Sequence, residues 1–265
     1  MSLRRVLQPI HAAYEHLAMV LGLGFLALLC LAWLPLAQLL HILLPRRQGQ
    51  RLGRWVIHRG FGLYLKFLRL FCACRFDLGE LQQLREAGPL VLAANHPSLL
   101  DAVLITACLP NVTCIMKAAL MDNPLFGAAA RLACYIRNNA PIDMVRQAQA
   151  SLAEGAQVLI FPEGTRTADF PLSPCGAGAG LIAHRAQVPV QTLIIDFSSP
   201  YLGKHWPLLR RPRLPLRASI RLGRRFAPPD NVAAFSTMLE GYFRQELAGP
   251  GAPTLPPQNE PASRP

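Results

Sequence analysis

A histidine and an aspartate at a fixed spacing form the first segment whose residue types suit chemistry. His96 and Asp101 lie in the run Asn-His-Pro-Ser-Leu-Leu-Asp at residues 95–101, directly after an apolar stretch that predicts a strand. If a helix begins near Pro97, the Asp101 carboxylate folds back and accepts a hydrogen bond from one ring nitrogen of His96. The other nitrogen is then a base for a hydroxyl proton. A capping histidine beside an exposed aspartate is the alternative for this segment taken alone.

A second segment, Phe-Pro-Glu-Gly-Thr-Arg at residues 161–166, has the composition of a phosphate-binding turn. Gly164 lets a ligand approach the backbone, Thr165 offers a hydroxyl, and the Arg166 guanidinium presents paired donors that match a phosphate. For Glu163 the sequence leaves two roles open, which are to hold Arg166 in position or to accept a hydrogen bond from a substrate hydroxyl. The competing interpretation is a tight turn with a Glu–Arg pair on the surface.

Both segments come at the carboxyl ends of predicted strands, in a chain that alternates strands with helices. The expected strands are 90–94, 112–116, 158–161, 190–197 and 216–222. The expected helices are 99–108, 124–134, 143–154, 175–187 and 232–247. This alternation predicts an α/β domain whose mostly parallel sheet is covered by helices on both faces. Ligands bind at the carboxyl ends of the strands in such sheets, which is where the two segments fall.

The N-terminal region is apolar enough to enter a lipid bilayer. Residues 17–37 form a run of 21 without a charged or strongly polar side chain. At about 1.5 Å per residue, a helix of this length reaches roughly 31 Å, the thickness of a bilayer core. Pro35 and the arginines on both sides of the run leave a straight membrane helix and a re-entrant helical hairpin both open. The larger number of arginines after the run predicts an inner-membrane protein whose catalytic domain faces the cytoplasm.

The following stretch, residues 55–76, interleaves aromatic residues with Arg59, Lys66 and Arg69 and predicts an amphipathic helix. Such a helix either lies in the headgroup layer or packs on the protein's own core, because periodicity does not distinguish lipid from core. We therefore divide the chain into membrane-embedded and interfacial helices (1–76), a catalytic domain (77–247) and a disordered tail rich in proline, glycine and alanine (248–265).

The charge of the chain points to a partner that carries phosphate. The net charge is +12, and since only three of the 27 basic residues are lysines, 24 are arginines, whose planar donors match phosphate groups. Near the C-terminus, Arg217 and Arg221 alternate with apolar residues as on one face of a strand. This arginine cluster is expected to meet anionic lipid or an acidic acyl carrier protein, with a solvated edge strand as the alternative. The seven cysteines show neither disulfide nor zinc spacing, so no metal is expected.

The two segments occur in this order, with Phe161 60 positions after Asp101, and together they resemble the glycerolipid acyltransferase family. The best-known members of that family are 1-acylglycerol-3-phosphate acyltransferases. The resemblance extends over residues 55–222, and Lys117, with Pro124 and Gly127, is similar to the family's intermediate block. Residues 188–190 resemble its last block. The resemblance implies that His96 is the catalytic base and Asp101 its partner. The implied substrate-binding residues are Lys117, Glu163, Gly164, Thr165 and Arg166.

The resemblance implies a membrane-associated O-acyltransferase of phospholipid biosynthesis. It would move a fatty acyl group from acyl-CoA or acyl-ACP, the acyl carrier protein thioester, to a hydroxyl of a lysophospholipid such as 1-acylglycerol-3-phosphate. The donor is a substrate, and neither a bound cofactor nor nucleic acid is expected. Ile136-Arg137-Asn138 stands where the family often has Ile-Asp-Arg, which leaves another acceptor open, for instance a lyso amino-acid lipid. No G-x-S-x-G elbow surrounds Ser98, so a lipase-type hydrolase is disfavoured. A non-catalytic basic membrane adaptor is the rival from another class.

Overall fold

A seven-stranded sheet forms the centre of the molecule. The computed structural model describes residues 3–249, and the predicted tail from residue 250 onwards lies outside them. The strands are β1 (Cys74–Asp77), β2 (Val91–Ala94), β3 (Val112–Met116), β4 (Ile136–Arg137), β5 (Gln157–Ile160), β6 (Val190–Phe197) and β7 (Leu216–Phe226). Their order is β1-β7-β6-β2-β5-β3-β4. Strands β2 to β6 run parallel, whereas β7 is antiparallel to β6 and parallel to β1. The mostly parallel sheet expected from the sequence is confirmed.

Helices cover both faces of this sheet. They are α1 (Leu3–Leu43), α2 (Arg46–Phe71), α3 (Asp101–Cys108), α4 (Ala118–Asp122), α5 (Pro124–Leu132), α6 (Pro141–Ala153), α7 (Gly178–Ala186) and α8 (Val232–Ala248). One apolar core lies between the sheet and α1, α2 and α3, and a second lies between the sheet and α6, α7 and α8. Alternate residues of β2 therefore enter different cores, Leu92 the first and Val91 the second. This explains why the strand is a continuous apolar run.

The strand that carries the arginine cluster lies inside the sheet. β7 is hydrogen-bonded on both sides, to β1 and to β6, so the alternative interpretation of this segment as an edge strand is wrong. Its alternating pattern is nevertheless confirmed, because Arg217 and Arg221 are exposed while Ala218 and Ile220 are buried. The described edges of the sheet are instead the two short strands β1 and β4, neither of which was expected from the sequence.

The apolar N-terminal stretch forms part of one continuous helix. Within α1, residues Gln8–Leu43 are long and apolar enough to cross a membrane, with a mean hydropathy of 2.5, and Pro35 does not interrupt the helix. The hairpin is formed by α1 together with α2 rather than inside the apolar run. Phe25 stacks on Phe67 at 4.1 Å between ring centroids, and the Cys72 thiol donates to the carbonyl of Ala18.

The second helix serves the protein's own core and also presents a surface to solvent. Tyr64 and Leu68 are buried in the first core, whereas Trp55 and Lys66 are exposed. The expected helix through residue 76 is wrong at its end. The chain turns at Ala73, which has a φ of +47°, and then enters β1, so the expected boundary after residue 76 falls inside a strand.

The amino-terminal half of α2 is fixed tightly to α5. Arg54 is buried and donates through Nε to the carbonyl of Ala133 and through Nη1 to Asn111. One residue earlier, a Cβ added at Gly53 would lie 2.6 Å from the backbone nitrogen of Ala133, which is closer than real Cβ contacts allow. Glycine at this position is therefore what lets the two helix backbones approach each other.

We expect Gly53→Ala to destabilise the protein by about 1–3 kcal/mol, because the added methyl group has only backbone to displace. Thermal unfolding of the full chain in detergent measures this loss as a lower Tm. Gly60→Ala is the matched control in the same helix, since no atom lies within 4 Å of its added Cβ. That control should be neutral or stabilising by about 0.5–1 kcal/mol. Equal Tm values for the two variants would contradict the close packing of α2 on α5.

Candidate active site

The carboxyl end of β2 leads into the histidine of the first segment. The side chain of Asn95, directly after the strand, accepts from the backbone nitrogen of Ile195 and donates to its carbonyl, both at 2.8 Å. This pair of bonds fixes the end of β2 against β6. His96 follows, and its Nδ1 lies 2.7 Å from Oδ2 of Asp101. The hydrogen bond expected from the sequence is thus present, and a carboxylate acceptor at Nδ1 leaves the lone pair on Nε2.

Asp101 is the first residue of α3 and is fully buried. Its Oδ2 also accepts the backbone N–H of Ser98 at 2.9 Å. Burial raises the pKa of the Asp101 carboxyl, and the hydrogen bond from His96 is the largest influence in the opposite direction. A buried carboxylate at this position orients the imidazole and stabilises the imidazolium that forms when Nε2 takes a proton.

Residues of the second segment contact His96 of the first segment. The ring of Phe161 stacks on the imidazole of His96, with 3.8 Å between centroids and 14° between planes. The backbone N–H of Thr167 donates to the carbonyl of His96 at 2.8 Å. The two segments, distant in sequence, therefore hold the same histidine.

Glu163 does not pair with Arg166, which was one of the two roles that its sequence position suggested. Its Oε1 accepts the backbone N–H of His96 and the hydroxyl of Thr167, both at 2.9 Å, and its Oε2 accepts the N–H of Ser173 at 2.8 Å. The side chain is buried, with three donors from the protein. The expected pairing with Arg166 is replaced by this network, which fixes the backbone of His96.

Arg166 binds backbone carbonyls of the chain segment between β6 and β7. Its Nη1 donates to the carbonyls of Leu202 and Gly203 at 2.9 and 2.8 Å. The side chain is half-buried, and among the described residues no protein acceptor engages its Nε or Nη2. Nη1 is thus bound to the protein, while Nε and Nη2 can donate to a ligand.

Lys117 contacts the second segment through Thr165. It lies between β3 and α4, and its Nζ donates to Oγ1 of Thr165 at 3.2 Å. Gly164 has a φ of +65°, a conformation that favours glycine, and it turns the chain so that Thr165 and Arg166 follow the buried Glu163. The structure therefore brings together Lys117 and the second segment, although 46 positions separate Lys117 from Glu163 in the sequence.

Two residues of the site were missed by reasoning from the sequence, Asn95 and Phe161. Their partners, Ile195 and His96, are remote along the chain, so local pattern carries no trace of either contact. The position of Asn95 directly beside His96 is the one signal that the sequence offers. Within residues 3–249, no group of three or more histidine, cysteine or acidic side chains is arranged to hold a metal ion.

The geometry defines a class of protein: an α/β domain with a hydrogen-bonded histidine–aspartate pair beside a loop that carries cations. A family model described as Acyltransferase matches residues 75–196. Human 1-acyl-sn-glycerol-3-phosphate acyltransferase beta is 30% identical over 154 residues, which cover 54% of each chain. The 1-acyl-sn-glycerol-3-phosphate acyltransferase of Pseudomonas aeruginosa is 25% identical over 58% of this chain and 60% of its own. The chain is therefore similar to glycerolipid acyltransferases over the segment that contains both His96 and Arg166.

The fold of this chain is also similar to that of a solved acyltransferase. The crystal structure of the 1-acyl-sn-glycerophosphate acyltransferase PlsC from Thermotoga maritima has a TM-score of 0.62 and 18% identity. The match covers 87% of this chain and 95% of the other. At the level of sequence, the chain spans about half the length of the human relative and of a Caenorhabditis elegans relative, 54% and 47% respectively.

Glu163→Gln tests whether this carboxylate supports the histidine. The amide has one acceptor oxygen, so its NH₂ group would face a backbone N–H of His96 or Ser173, and we expect a loss of about 1–3 kcal/mol in stability. Turnover should fall with it, while the acceptor KM stays unchanged. Glu86→Gln, an exposed neighbour of β2, is the control. An unchanged Tm together with a raised acceptor KM would show instead that Glu163 contacts substrate.

Proposed function

We propose that this chain transfers a fatty acyl group from acyl-CoA or acyl-ACP to a hydroxyl of a lysophospholipid. The observation that carries the proposal is the 2.7 Å hydrogen bond between His96 and the buried Asp101, which makes Nε2 a general base. The names of the relatives, 1-acyl-sn-glycerol-3-phosphate acyltransferases, support 1-acylglycerol-3-phosphate as the acceptor. The match to the Acyltransferase family model also agrees with a reaction in which the acyl donor is a substrate and no resident cofactor takes part.

The proposed reaction is a direct transfer. Nε2 of His96 removes the proton of the acceptor hydroxyl as its oxygen attacks the thioester carbonyl carbon. The carbon–oxygen bond forms, the tetrahedral intermediate expels the thiolate by breaking the carbon–sulfur bond, and the imidazolium returns its proton to that thiolate. Asp101 stabilises the imidazolium between the two proton transfers.

The contacts of Ser98, two residues after His96, support direct transfer over an acyl-enzyme. Ser98 is buried, its Oγ donates to the carbonyl of Tyr201 at 2.9 Å, and it accepts the N–H of Leu100. A hydroxyl engaged in this way is part of the turn that positions His96 rather than a nucleophile. The attacking oxygen is then that of the acceptor, which is the assignment the proposal requires.

The cations beside the histidine are the proposed phosphate site. Arg166 keeps the Nε and Nη2 donors, and Lys117 and Thr165 bind each other at the mouth of the loop. Together they offer the charge and the paired donors that a phosphate monoester takes. Arg137, where the family often has aspartate, forms an ion pair with Asp122. Because that cation is occupied, a lyso amino-acid lipid stays as the second acceptor to be tested.

We place the protein at a membrane through α1, whose outer face exposes large apolar residues over most of its length. The arginines that begin α2 follow this apolar segment directly, and the positive-inside rule then assigns the catalytic domain to the cytoplasmic side of the inner membrane. Lipid acceptors would reach the site from that membrane.

A panel of acceptors tests the proposed function. Purified full-length protein is incubated with a labelled acyl thioester and with lysolipids that differ only in headgroup, and thiol release is followed. Release that requires 1-acylglycerol-3-phosphate supports the proposal, and a preference for a lyso amino-acid lipid would replace the acceptor. No acceptor-dependent release with any donor or lysolipid would favour the basic membrane adaptor instead.

His96→Ala is expected to lower turnover by about 10²–10⁴-fold, since it removes the general base. The Tm and the fraction of protein bound to membranes should stay as in the wild type. His16→Ala, an exposed histidine of α1, is the control for removal of an imidazole. A variant that kept more than about a tenth of wild-type turnover would rule out His96 as the base.

Arg166→Lys separates phosphate binding from support of the loop. A single ammonium cannot reproduce the paired hydrogen bonds of the guanidinium, so we expect the KM for a phosphate-bearing acceptor to rise about tenfold or more. A lysolipid without phosphate should be affected far less, and donor KM should change little. Equal losses for both acceptors would show that Arg166 acts only by holding the carbonyls of Leu202 and Gly203.

A further inference from the structure

The chain between β6 and β7 contains a loop that exposes two adjacent leucines, and we call residues 204–213 the leucine loop. Leu208 and Leu209 are 57% and 75% exposed. The loop is ordered by its own contacts, since the Nε1 of Trp206 donates to the carbonyl of Arg210 at 3.0 Å and the Arg210 guanidinium lies 4.7 Å from the Trp206 ring centroid. These contacts hold the loop in a turn that exposes the two leucines to solvent.

Basic residues surround the exposed leucines. The leucine loop contains no acidic residue, and its cations are Lys204, Arg210, Arg211 and Arg213. An apolar tip with a tryptophan at its base and cations around it has the chemistry of an element that enters the surface of an anionic bilayer. An acidic carrier protein would be complementary to the cations, but binding it would not explain why the two leucines are exposed.

The base of the leucine loop is tied to the apolar helix α1. Glu15 of α1 is buried, and its Oε1 accepts the N–H of Leu214 at 3.1 Å while its Oε2 lies 3.5 Å from Arg211. On the same part of α1, Ile10 and Leu17 are 63% and 55% exposed. The exposed leucines of the loop and the exposed residues of α1 thus belong to one end of the molecule.

The same chain segment also holds the phosphate-site arginine. Directly before the loop, the carbonyl of Leu202 accepts both Nη1 of Arg166 and the N–H of Leu99, the latter at 3.1 Å. Leu202 has a φ of +57°, a left-handed conformation that costs energy for leucine and persists where its surroundings impose it. Arg166 and the first segment therefore supply the contacts that keep the start of the leucine loop in place.

We propose that the leucine loop is a second membrane-contact element, which inserts Leu208 and Leu209 into a bilayer containing anionic lipid. Insertion brings Arg166 to the level of the headgroups, because the backbone that carries the leucines is hydrogen-bonded to its guanidinium. The inference rests on the proposed function in one respect, that the acceptor is drawn from a bilayer. The leucine loop would thus be a membrane contact in addition to α1, and it would fix the distance between the active site and the bilayer surface.

Tryptophan quenching tests insertion without any turnover. In the full chain carrying Trp33→Phe and Trp55→Phe, Trp206 is the remaining tryptophan, and the protein is reconstituted into phosphatidylglycerol vesicles with brominated acyl chains. We expect the bromines to quench Trp206, and Leu208→Ser/Leu209→Ser to lose most of that quenching. Ile142→Ser is the control, since Ile142 is 86% exposed on α6, away from the loop.

Two results would overturn the proposal. One is a Trp206 emission that brominated vesicles leave unchanged, and the other is equal quenching with and without the two leucines. Quenching of Trp206 by a nitroxide-labelled acidic carrier protein, but not by lipid, would assign the loop to a protein partner. Because none of these readouts uses catalysis, a chain that fails to transfer acyl groups leaves them interpretable.

Activity gives the second readout. Leu208→Ser/Leu209→Ser should reduce the rate with a lysolipid presented in vesicles, while the rate with a short-chain, water-soluble acceptor stays at the parent value. A parallel loss with both acceptors would show that the leucines act on the fold of the site and would contradict a role in membrane contact. The Tm values of Leu208→Ser/Leu209→Ser and of the control Ile142→Ser show whether either variant is destabilised.

Discussion

A carboxylate shielded from water persists only where donors meet it, and the fully buried Asp101 imposes that constraint on everything around the site. Its Oδ2 takes a donor from the ring of His96 and another from the backbone of Ser98. Those two contacts require α3 to begin at Asp101 and the preceding residues to turn tightly back over it. They also require β2 to end where Asn95 fixes it to β6, since a shift of one residue would withdraw the imidazole from the carboxylate.

Glu163 is held in a similar way, by hydrogen bonds from the protein. It is a second buried carboxylate, and its three donors come from His96, Thr167 and Ser173. The histidine is thus held through its ring by one acid and through its backbone by another, with Phe161 stacked on its face. Such restraint on all sides is what a base needs if its nitrogen is to meet a hydroxyl in one orientation. The second segment thereby holds the proposed base and also carries the cations of the proposed phosphate site.

The sequence predicts the central strands of the sheet better than the strands at its edges. β3 and β6 have the expected bounds because each is a mostly apolar run that is buried on both faces. β4 has only two residues, too few for a period to emerge, and β1 was missed because it follows a helix whose aromatic pattern continues into it. The expected pairing of Glu163 with Arg166 is wrong because the sequence shows only near neighbours. The actual donors are Thr167 and Ser173 of the same segment and the backbone of His96, which the pairing of β2 with β5 brings beside it.

The contacts of α1 with its own domain determine how a lipid meets the protein. The carbonyl of Ala18 accepts the thiol of Cys72, directly after α2, and Ala37 packs on Leu132 at the end of α5. The helix has 41 residues, so at 1.5 Å per residue it extends roughly 60 Å, about twice the thickness of a bilayer core. Because Ala18 and Ala37 fix it to the domain, we expect α1 to lie along the membrane surface with its exposed apolar residues in lipid. For the proposed enzyme this means catalysis in two dimensions: velocity would follow the mole fraction of acceptor in the leaflet, and would fall by surface dilution when inert lipid is added at constant bulk concentration.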